Sequence, residues 1–381
     1  MPPANEPIHL AFLGNGQCYH VQKWLPALVE QGLRVTLITF HPPAHQLEGV
    51  AVQVLTPPFS SSPERMSWID FCGPTRSLRQ MLDALKVDVL MPSYATNYGW
   101  MAFRTGFRPQ IVNTWTYDVS VYPMKGWKRL VFRPVVRRVL RRADLIFTDG
   151  AALAEFVREH YTVVPERVVP VFWGIRLADH PFSPEMRDEA RNTLGIPPEV
   201  PVIISARGVS DWYSPIQVLT AFRRLLDARP DLYVLVLTLT HERTSDVQAL
   251  LDELAKNERA HVFDRFLTKP EMCQVWAASD VLISVPPHDG ISVGVLEGMY
   301  AGALPVVSDI PSNRSFLPED RAFYIQTDSP DELEATLGTV LDGLPGFRER
   351  IAPANRAWVA EHGSVEATAR QVAARIRNLG R

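Results

Sequence analysis

Residues 281–302 read VLISVPPHDGISVGVLEGMYAG, which is an apolar run, then a loop marked by proline and glycine, then an apolar helical segment. The run at 281–285 has the length and composition of a buried strand, and a helical pattern begins after Gly290. A strand that leads through a short loop into a helix is half of a βαβ unit, from which parallel sheets are built. This stretch therefore predicts an α/β fold.

The same order of elements recurs along the chain in two groups, separated by residues 176–200, which are rich in Pro, Asp and Glu and are interpreted as a crossover. We predict two doubly wound, Rossmann-like domains that face each other across a cleft, where ligands of open α/β sheets bind. The predicted domains are residues 1–178, residues 179–362 and a C-terminal helix at 363–381 that packs back on the first domain. The predicted strands are 8–14, 35–40, 87–91, 111–115, 145–148, 202–206, 233–237, 261–263, 281–285 and 304–307.

The composition excludes several classes of protein. The chain has 381 residues, 46% of them hydrophobic and 21% charged, with a formal net charge of −3. These values are typical of a globular protein, and the small net charge argues against a nucleic-acid partner. There is no apolar run of membrane-spanning length, no pattern of a secretory signal, and no metal-site or disulfide spacing among Cys18, Cys72 and Cys273. We expect a cytoplasmic protein that uses neither a metal nor a cofactor.

A glycine turn, Gly14-Asn15-Gly16, follows the first predicted strand. Such a turn before a helix can expose backbone amides to an anion. A dinucleotide site is not favoured, because Tyr19 occupies the third glycine position of G-x-G-x-x-G and the second predicted strand ends without an acidic residue. Two interpretations stay open: a plain tight turn, or a loop in which Gly16 lets a ligand approach closely.

The sequence HDGISVGVLE at 288–297 is the strongest candidate site. Gly290 and Ser292 at the start of a helix favour a nest of exposed amides, which suits a diphosphate. Glu297 lies deeper in the helix among apolar neighbours, and a buried acid needs a hydrogen-bond partner such as a ribose hydroxyl. The alternative for Glu297 is a solvated helix acid.

These residues resemble the E-x7-E region of the retaining glycosyltransferases of family four, which have the GT-B fold and assemble polysaccharides and glycoconjugates. Asp289 and Glu297 stand at the two acidic positions. Further stretches resemble the family in chain order, and together they cover nearly the whole sequence. These are residues 86–98, the segment Trp115-Thr116-Tyr117-Asp118, residues 142–144, residues 169–177 and Arg207.

The resemblance implies a role for each matching residue. Glu297 would bind the donor ribose, Asp289 would contact the donor sugar, and the helix start at Ser292 and Val293 would receive the diphosphate. Arg207 would neutralise that diphosphate. The configuration of the transferred sugar would be retained.

The sequence also departs from the family pattern. A lysine six residues after the arginine belongs to the pattern, but Tyr213 occupies that position and no lysine lies between 129 and 255. If another cation substitutes, Arg176 and Arg314 are the candidates. In the segment 115–118, Thr116 and Tyr117 replace a glycine and a serine of the family.

Two features are inferred from position and charge. His20, near Gly16 at the start of the first helix, is expected in the acceptor site; a surface histidine beside the core residue Trp24 is the alternative. Residues 124–142, MKGWKRLVFRPVVRRVLRR, contain eight basic residues and no acidic one. Such a helix can lie on an anionic membrane at the inner face of the cell, or it can be a solvated helix that packs through its valines and leucines.

We therefore predict a glycosyltransferase that moves a sugar from a UDP- or GDP-linked donor to a hydroxyl of a glycan or lipid-linked acceptor. The alternatives are a nucleotide-sugar epimerase or hydrolase of the same fold, and a non-catalytic nucleotide-sugar-binding scaffold, which the substitutions at 116, 117 and 213 keep open. The predicted catalytic residues are Arg207, Asp289 and His20, and the predicted donor-binding residues are Gly16, Gly290, Ser292, Val293 and Glu297.

Overall fold

The computed structural model describes residues 6–73, 75–124, 126, 128–239, 243–326 and 329–380. The chain divides into two compact units, of which the first is Met1–Trp173 with Val365–Arg381 and the second is Gly174–Ser364. The division falls at residue 173 rather than at the predicted 178, and the C-terminal helix belongs to the first unit.

The first unit contains parallel strands in the orders β3-β2-β1-β4 and β5-β6-β7, with parallel bridges Leu90–Gln110 and Ser93–Asn113 between β4 and β5. The strands are β1 (His9–Leu13), β2 (Arg34–Thr39), β3 (Val50–Val54), β4 (Val89–Pro92), β5 (Ile111–Thr114), β6 (Leu145–Asp149) and β7 (Val168–Val171). The helices are α1 (Tyr19–Glu30), α2 (Thr75–Ala84), α3 (Gly99–Thr105), α4 (Lys128–Arg142), α5 (Ala151–Tyr161) and α14 (Val365–Leu379). Short helical turns lie at Trp68–Cys72, Tyr94–Tyr98 and Tyr117–Val121.

The second unit contains one parallel sheet in the order β10-β9-β8-β11-β12-β13. Its strands are β8 (Val202–Ser205), β9 (Tyr233–Leu237), β10 (Ala260–Phe263), β11 (Val281–Ser284), β12 (Leu304–Ser308) and β13 (Phe323–Ile325). Its helices are α6 (Pro184–Leu194), α7 (Pro215–Ala228), α8 (Ser245–Leu254), α9 (Lys269–Ala278), α10 (Val293–Ala301), α11 (Pro311–Arg314), α12 (Pro330–Asp342) and α13 (Leu344–His362).

The predicted α/β class with parallel sheets in two domains is confirmed. The sequence prediction missed β3, β7 and β13, all of which lie at an edge of their sheet. An edge strand has one partner and an exposed side, so it needs fewer apolar residues than a central strand. β7 even contains Pro170, which removes a ladder hydrogen bond and is tolerated at an edge.

The predicted crossover at 176–200 contains a helix, α6, that is fixed to the second sheet by a buried ion cluster. Asp280, which directly precedes β11, accepts hydrogen bonds from Arg187 at 2.6 Å, Arg191 at 2.7 Å and the amide of Val202 at 2.9 Å. Arg348 of α13 lies 2.7 Å from the same carboxylate. Because Arg191 and Asp280 are both 1% exposed, the cluster holds α6 and α13 against the amino end of the sheet.

Candidate functional site

Two loops of the second unit meet where the strand order of the sheet reverses. The chain passes from β8 to β9 and β10 on one side, and from β11 to β12 and β13 on the other. The crevice at the carboxyl ends of two such neighbouring strands is where open α/β sheets bind ligands. Arg207 follows β8, and residues 285–292 follow β11, so the sheet brings both to this crevice.

Arg207 lies over the first turn of α10. Its Nη1 donates a hydrogen bond to Ser292 Oγ at 2.6 Å, and its Nη2 donates to Asp289 Oδ2 at 2.5 Å. A Cβ placed on Gly294 would lie 3.9 Å from Arg207 Cδ, so the arginine stem packs on the helix backbone. The structure thus brings together Arg207, Asp289 and Ser292, all of which were predicted as site residues from the sequence.

The start of α10 has the geometry of an anion site. Ser292 caps the helix, and its hydroxyl accepts a hydrogen bond from the Val295 amide at 3.2 Å. The amides of Val293 and Gly294 belong to the first turn, where no intrahelical acceptor exists. The positive end of the helix dipole and the Arg207 guanidinium therefore act at the same place.

Asp289 is held from two directions. Its Oδ1 accepts the Gly290 amide at 2.9 Å, and its Oδ2 pairs with Arg207. Burial raises the pKa of Asp289 above its usual value, whereas Arg207 and the Gly290 amide act in the opposite direction. An incoming anion that pairs with Arg207 must therefore compete with this carboxylate.

Glu297 lies one turn further along α10, and its carboxylate contacts two side chains of the same unit. Trp276 Nε1 donates to Glu297 Oε2 at 3.2 Å, and His180 Nε2 lies 3.6 Å from Oε1. The Glu297 side chain is 13% exposed, so the solvated helix acid is excluded. Sequence reasoning missed His180 and Trp276, because a lone His or Trp in a loop or helix carries no spacing signal for a carboxylate partner.

Tyr213, which stands in place of the expected lysine, contacts Arg207. The guanidinium carbon lies 4.6 Å from the centre of the Tyr213 ring, which is a cation–π contact. Arg314, a candidate for the substitute cation, pairs with other residues. Its Nε lies 2.6 Å from Asp309 Oδ1, and its guanidinium carbon lies 3.7 Å from the centre of the Tyr324 ring.

The amide of Gly16 is hydrogen-bonded within the first unit. The amide donates to the carbonyl of His41 at 2.9 Å and to Thr39 Oγ1 at 3.2 Å. A Cβ at this position would lie 2.7 Å from the His41 oxygen and 2.8 Å from Pro43 Cδ. The close approach of this other loop of the same unit is sufficient to require a glycine.

His20 belongs to the first unit, whereas Arg207 and Asp289 belong to the second. The half-buried His20 ring lies 5.1 Å from the Trp115 ring, which stacks on Trp173 at 4.4 Å. Trp173 in turn contacts Trp24 at 4.5 Å. His20 therefore forms the edge of an aromatic cluster that follows β5 and β7.

Asp118, in the segment 115–118, is buried in the first unit at 2% exposure. Its Oδ1 accepts the Trp115 amide at 2.7 Å, and its Oδ2 accepts the Ala95 amide. The side chain thereby joins the turn after β5 to the turn after β4. Burial raises the pKa of Asp118 to about 7, although both amide donors act against this shift.

Solved structures with the same fold cover almost the whole chain. Sucrose-phosphate synthase from Thermosynechococcus elongatus has a TM-score of 0.81 and 14% identity, over 98% of this chain and 99% of that one. A glycosyltransferase from Rickettsia africae has a TM-score of 0.79 and 13% identity over the same shares. Anabaena HepE in complex with UDP-glucose has a TM-score of 0.77 and 15% identity, over 97% and 99%.

Two sequence families match the chain in succession. Residues 15–172 match the glycosyl transferase 4-like domain, and residues 186–358 match the glycosyl transferases group 1. The chain is a GT-B glycosyltransferase. No curated protein sequence matches it significantly.

The described residues contain neither a group of metal-ligating side chains nor a helix that could cross a membrane. In this part of the glycosyltransferase, no three His, Cys, Asp or Glu side chains are placed to hold a metal ion. None of the helices there is long and apolar enough to cross a membrane.

The pKa of Asp118 predicts a pH-dependent stability of this glycosyltransferase. Between pH 4 and pH 7 the unfolded chain releases the Asp118 proton while the folded chain retains it, so the free energy of unfolding falls as the pH rises. A shift to about 7 corresponds to a loss of roughly 4 kcal/mol. Asp118→Asn removes this contribution, so the difference in the unfolding midpoint of the first unit between pH 5 and pH 8 should become smaller.

Scanning calorimetry of the full chain at both pH values measures this difference. Asp83→Asn, which changes an exposed aspartate of the same unit, is the control and should behave as the wild type. An equal pH effect in the wild type and in Asp118→Asn would contradict the prediction.

Proposed function

We propose that this glycosyltransferase moves a sugar from a nucleotide-sugar donor to a hydroxyl of a glycan or lipid-linked acceptor, with retention of configuration. The observation that carries the proposal is the Arg207 guanidinium over the amides of Val293 and Gly294. A leaving diphosphate fits a site that combines a fixed cation with a helix N-terminus. The Anabaena structures contain UDP and UDP-glucose, which supports a UDP-linked donor before a GDP-linked one.

The proposed chemistry uses groups that are positioned before the reaction. Negative charge grows on the diphosphate as its bond to the sugar breaks, so Arg207 and the helix dipole stabilise the transition state more than the bound donor. The site supplies these positive groups from the chain itself, and the proposal requires no metal or cofactor.

Asp289 and Glu297 would have different roles in this site. Asp289 holds Arg207 over the helix before the donor arrives, and when the diphosphate takes Arg207 the carboxylate can accept hydrogen bonds from the donor sugar. Glu297 is fixed by Trp276, and a carboxylate has enough lone pairs to accept a ribose hydroxyl as well.

The first experiment compares UDP binding and UDP-glucose turnover in variants of this site. Arg207→Ala should lower kcat by about 100-fold or more, the usual cost of losing one preorganised donor to a developing negative charge. Tyr213→Phe keeps the ring under Arg207 and should change kcat less than threefold. Glu297→Ala should weaken UDP binding by about 10- to 100-fold, the value of a hydrogen bond to a charged group.

Calorimetric titration with UDP and a UDP-release assay give these values. Arg223→Ala, at an exposed ion pair with Glu253 in the same unit, is the control and should leave both unchanged. UDP release that does not depend on an acceptor would favour a hydrolase. UDP binding without any turnover would favour the non-catalytic scaffold. Wild-type turnover in Arg207→Ala would contradict the assignment of Arg207 as the cation that stabilises the leaving diphosphate.

We further infer that α4 contacts an anionic membrane, with the enzyme at the inner, cytoplasmic face. One face of the helix is buried through Phe132, Val136 and Val139, and the other carries Leu130, which is 79% exposed. Within the described part of the chain, the arginines at 129, 133, 137 and 141 form no ion pair with an acid. A row of unpaired cations beside an exposed leucine supports attraction to acidic lipid headgroups. Lys125 and Trp127 of the predicted segment lie outside the described residues.

The prediction is flotation with vesicles that contain phosphatidylglycerol, but not with pure phosphatidylcholine. Each basic residue near an anionic surface contributes about 1 kcal/mol, so Arg137→Glu with Arg138→Glu should abolish flotation at low salt. The control is Arg370→Glu with Arg375→Glu, which makes the same charge change on exposed positions of α14. Equal flotation of both double variants would rule out contact through α4.

A further inference from the structure

Two side chains from different parts of the second unit reach the carboxylate of Glu297. Trp276 of α9 donates its indole N–H to Oε2 at 3.2 Å, and Nε2 of His180, in the loop before α6, lies at ion-pair distance from Oε1, 3.6 Å. The terminal torsion of a glutamate is broad when nothing restrains it. Because the two partners approach different oxygens, together they define the plane of this carboxylate.

The loop that carries His180 is anchored to α9. Lys269, at the start of the helix, pairs with the carboxylate of Asp179. One turn later, Cys273 Sγ donates to the carbonyl oxygen of Asp179 at 3.3 Å. Residues 269, 273 and 276 follow the spacing i, i+4, i+7, so they lie on one face of the helix. The same face of α9 therefore holds the histidine loop and, through Trp276, the acid.

The Trp276 ring fits beside Glu297 because the next residue of α10 is a glycine. A Cβ on Gly298 would lie 2.9 Å from Trp276 Cζ3, so a larger residue would displace the ring. Trp276 is 3% exposed and His180 is 8% exposed, whereas the Glu297 side chain is 13% exposed. The two partners are thus shielded from solvent, while part of the carboxylate remains accessible to a ligand.

The position of Glu297 on α10 matches the size of a nucleotide. It lies four residues after Val293, whose amide belongs to the first turn. Four residues span about 6 Å along a helix and return to the same face. In the proposed function the diphosphate binds at the first turn, so the ribose that is joined to it would meet Glu297. A ribose has two neighbouring hydroxyls, and a carboxylate can accept one on each oxygen when its plane is correctly oriented.

We propose that His180 is a positioning residue of the donor site, which holds the Glu297 carboxylate in the orientation that accepts both hydroxyls of the donor ribose. Trp276 restrains Oε2 and His180 restrains Oε1. Without His180 the carboxylate can rotate while it keeps the Trp276 hydrogen bond, and one of the two hydroxyl contacts is lost. The inference rests on the proposed function and adds that a histidine outside α10 determines the preference for ribose over deoxyribose.

Calorimetric titration of the full chain with UDP, 2′-deoxy-UDP and 3′-deoxy-UDP tests the proposal. The wild type should bind UDP about 10- to 100-fold more tightly than either analogue, which lacks one hydrogen bond to a charged group. His180→Phe keeps a ring but removes its nitrogens, so it should bind UDP about tenfold more weakly and prefer it over at least one analogue by less than about threefold. His180→Gln keeps an N–H donor and should retain the wild-type preference.

His261→Phe is the matched control, because it makes the same change at a half-buried ring of β10, 6.3 Å from the Tyr233 ring and 6.4 Å from the Phe263 ring. It should bind all three nucleotides as the wild type does. If His180→Phe weakened UDP and both analogues by the same factor, the role of His180 would be merely structural and the inference would be overturned.

Two other results distinguish this inference from the proposed function. A wild type that binds UDP no more tightly than the deoxy analogues, or an unchanged preference in His180→Phe, overturns the inference and leaves the proposed function intact. A wild type that binds neither UDP nor GDP contradicts the proposed function, and the inference with it.

Discussion

The contact between Arg207 and the first turn of α10 is the interaction on which the functional interpretation depends. It exists because β8 and β11 are neighbours at the point where the sheet reverses its strand order. Ser292 and Asp289 hold the guanidinium, and Tyr213 supports it from another side. The cation therefore lies beside the helix amides before any ligand arrives, and a diphosphate that binds here exchanges with the carboxylate of Asp289.

The second sheet carries two Arg–Asp arrangements on either side of β11, and they differ in accessibility. Asp280, before the strand, is 1% exposed and is surrounded by Arg187, Arg191 and Arg348. Asp289, after the strand, is 19% exposed and has one arginine partner. The first arrangement fixes two helices to the sheet and is closed to ligands. The second leaves a partly exposed guanidinium, so an anion can exchange with its carboxylate partner.

The sequence was sufficient for the central strands and for the position of the donor-side loops. Consecutive apolar residues identify buried strands. The resemblance to the glycosyltransferases of family four implied that Arg207 acts together with Asp289 and Ser292. The three edge strands were missed for different reasons. β3 is partly exposed and has a weak pattern, β7 contains Pro170, and β13 has only three residues.

Other features depended on tertiary contacts that leave no local pattern. Gly16 illustrates this, since a glycine required by another loop looks the same in sequence as one required by a ligand. The sequence also could not predict that Tyr213 contacts Arg207, or that Trp276 donates a hydrogen bond to Glu297. Likewise, Trp68, Asn97 and Tyr117 line one cavity of the first unit although they are far apart in the sequence.

Hydrogen–deuterium exchange of the full chain with UDP, and with uridine as the control, tests the central claim most directly. The amides of Val293 and Gly294 have no intrahelical acceptor in the free protein, so bound phosphate oxygens should slow their exchange. The account predicts strong protection of a peptide covering residues 289–297 by UDP, and much weaker protection by uridine, which has no phosphate. UDP binding that leaves this peptide unprotected, or protects it no more than uridine does, would contradict the account.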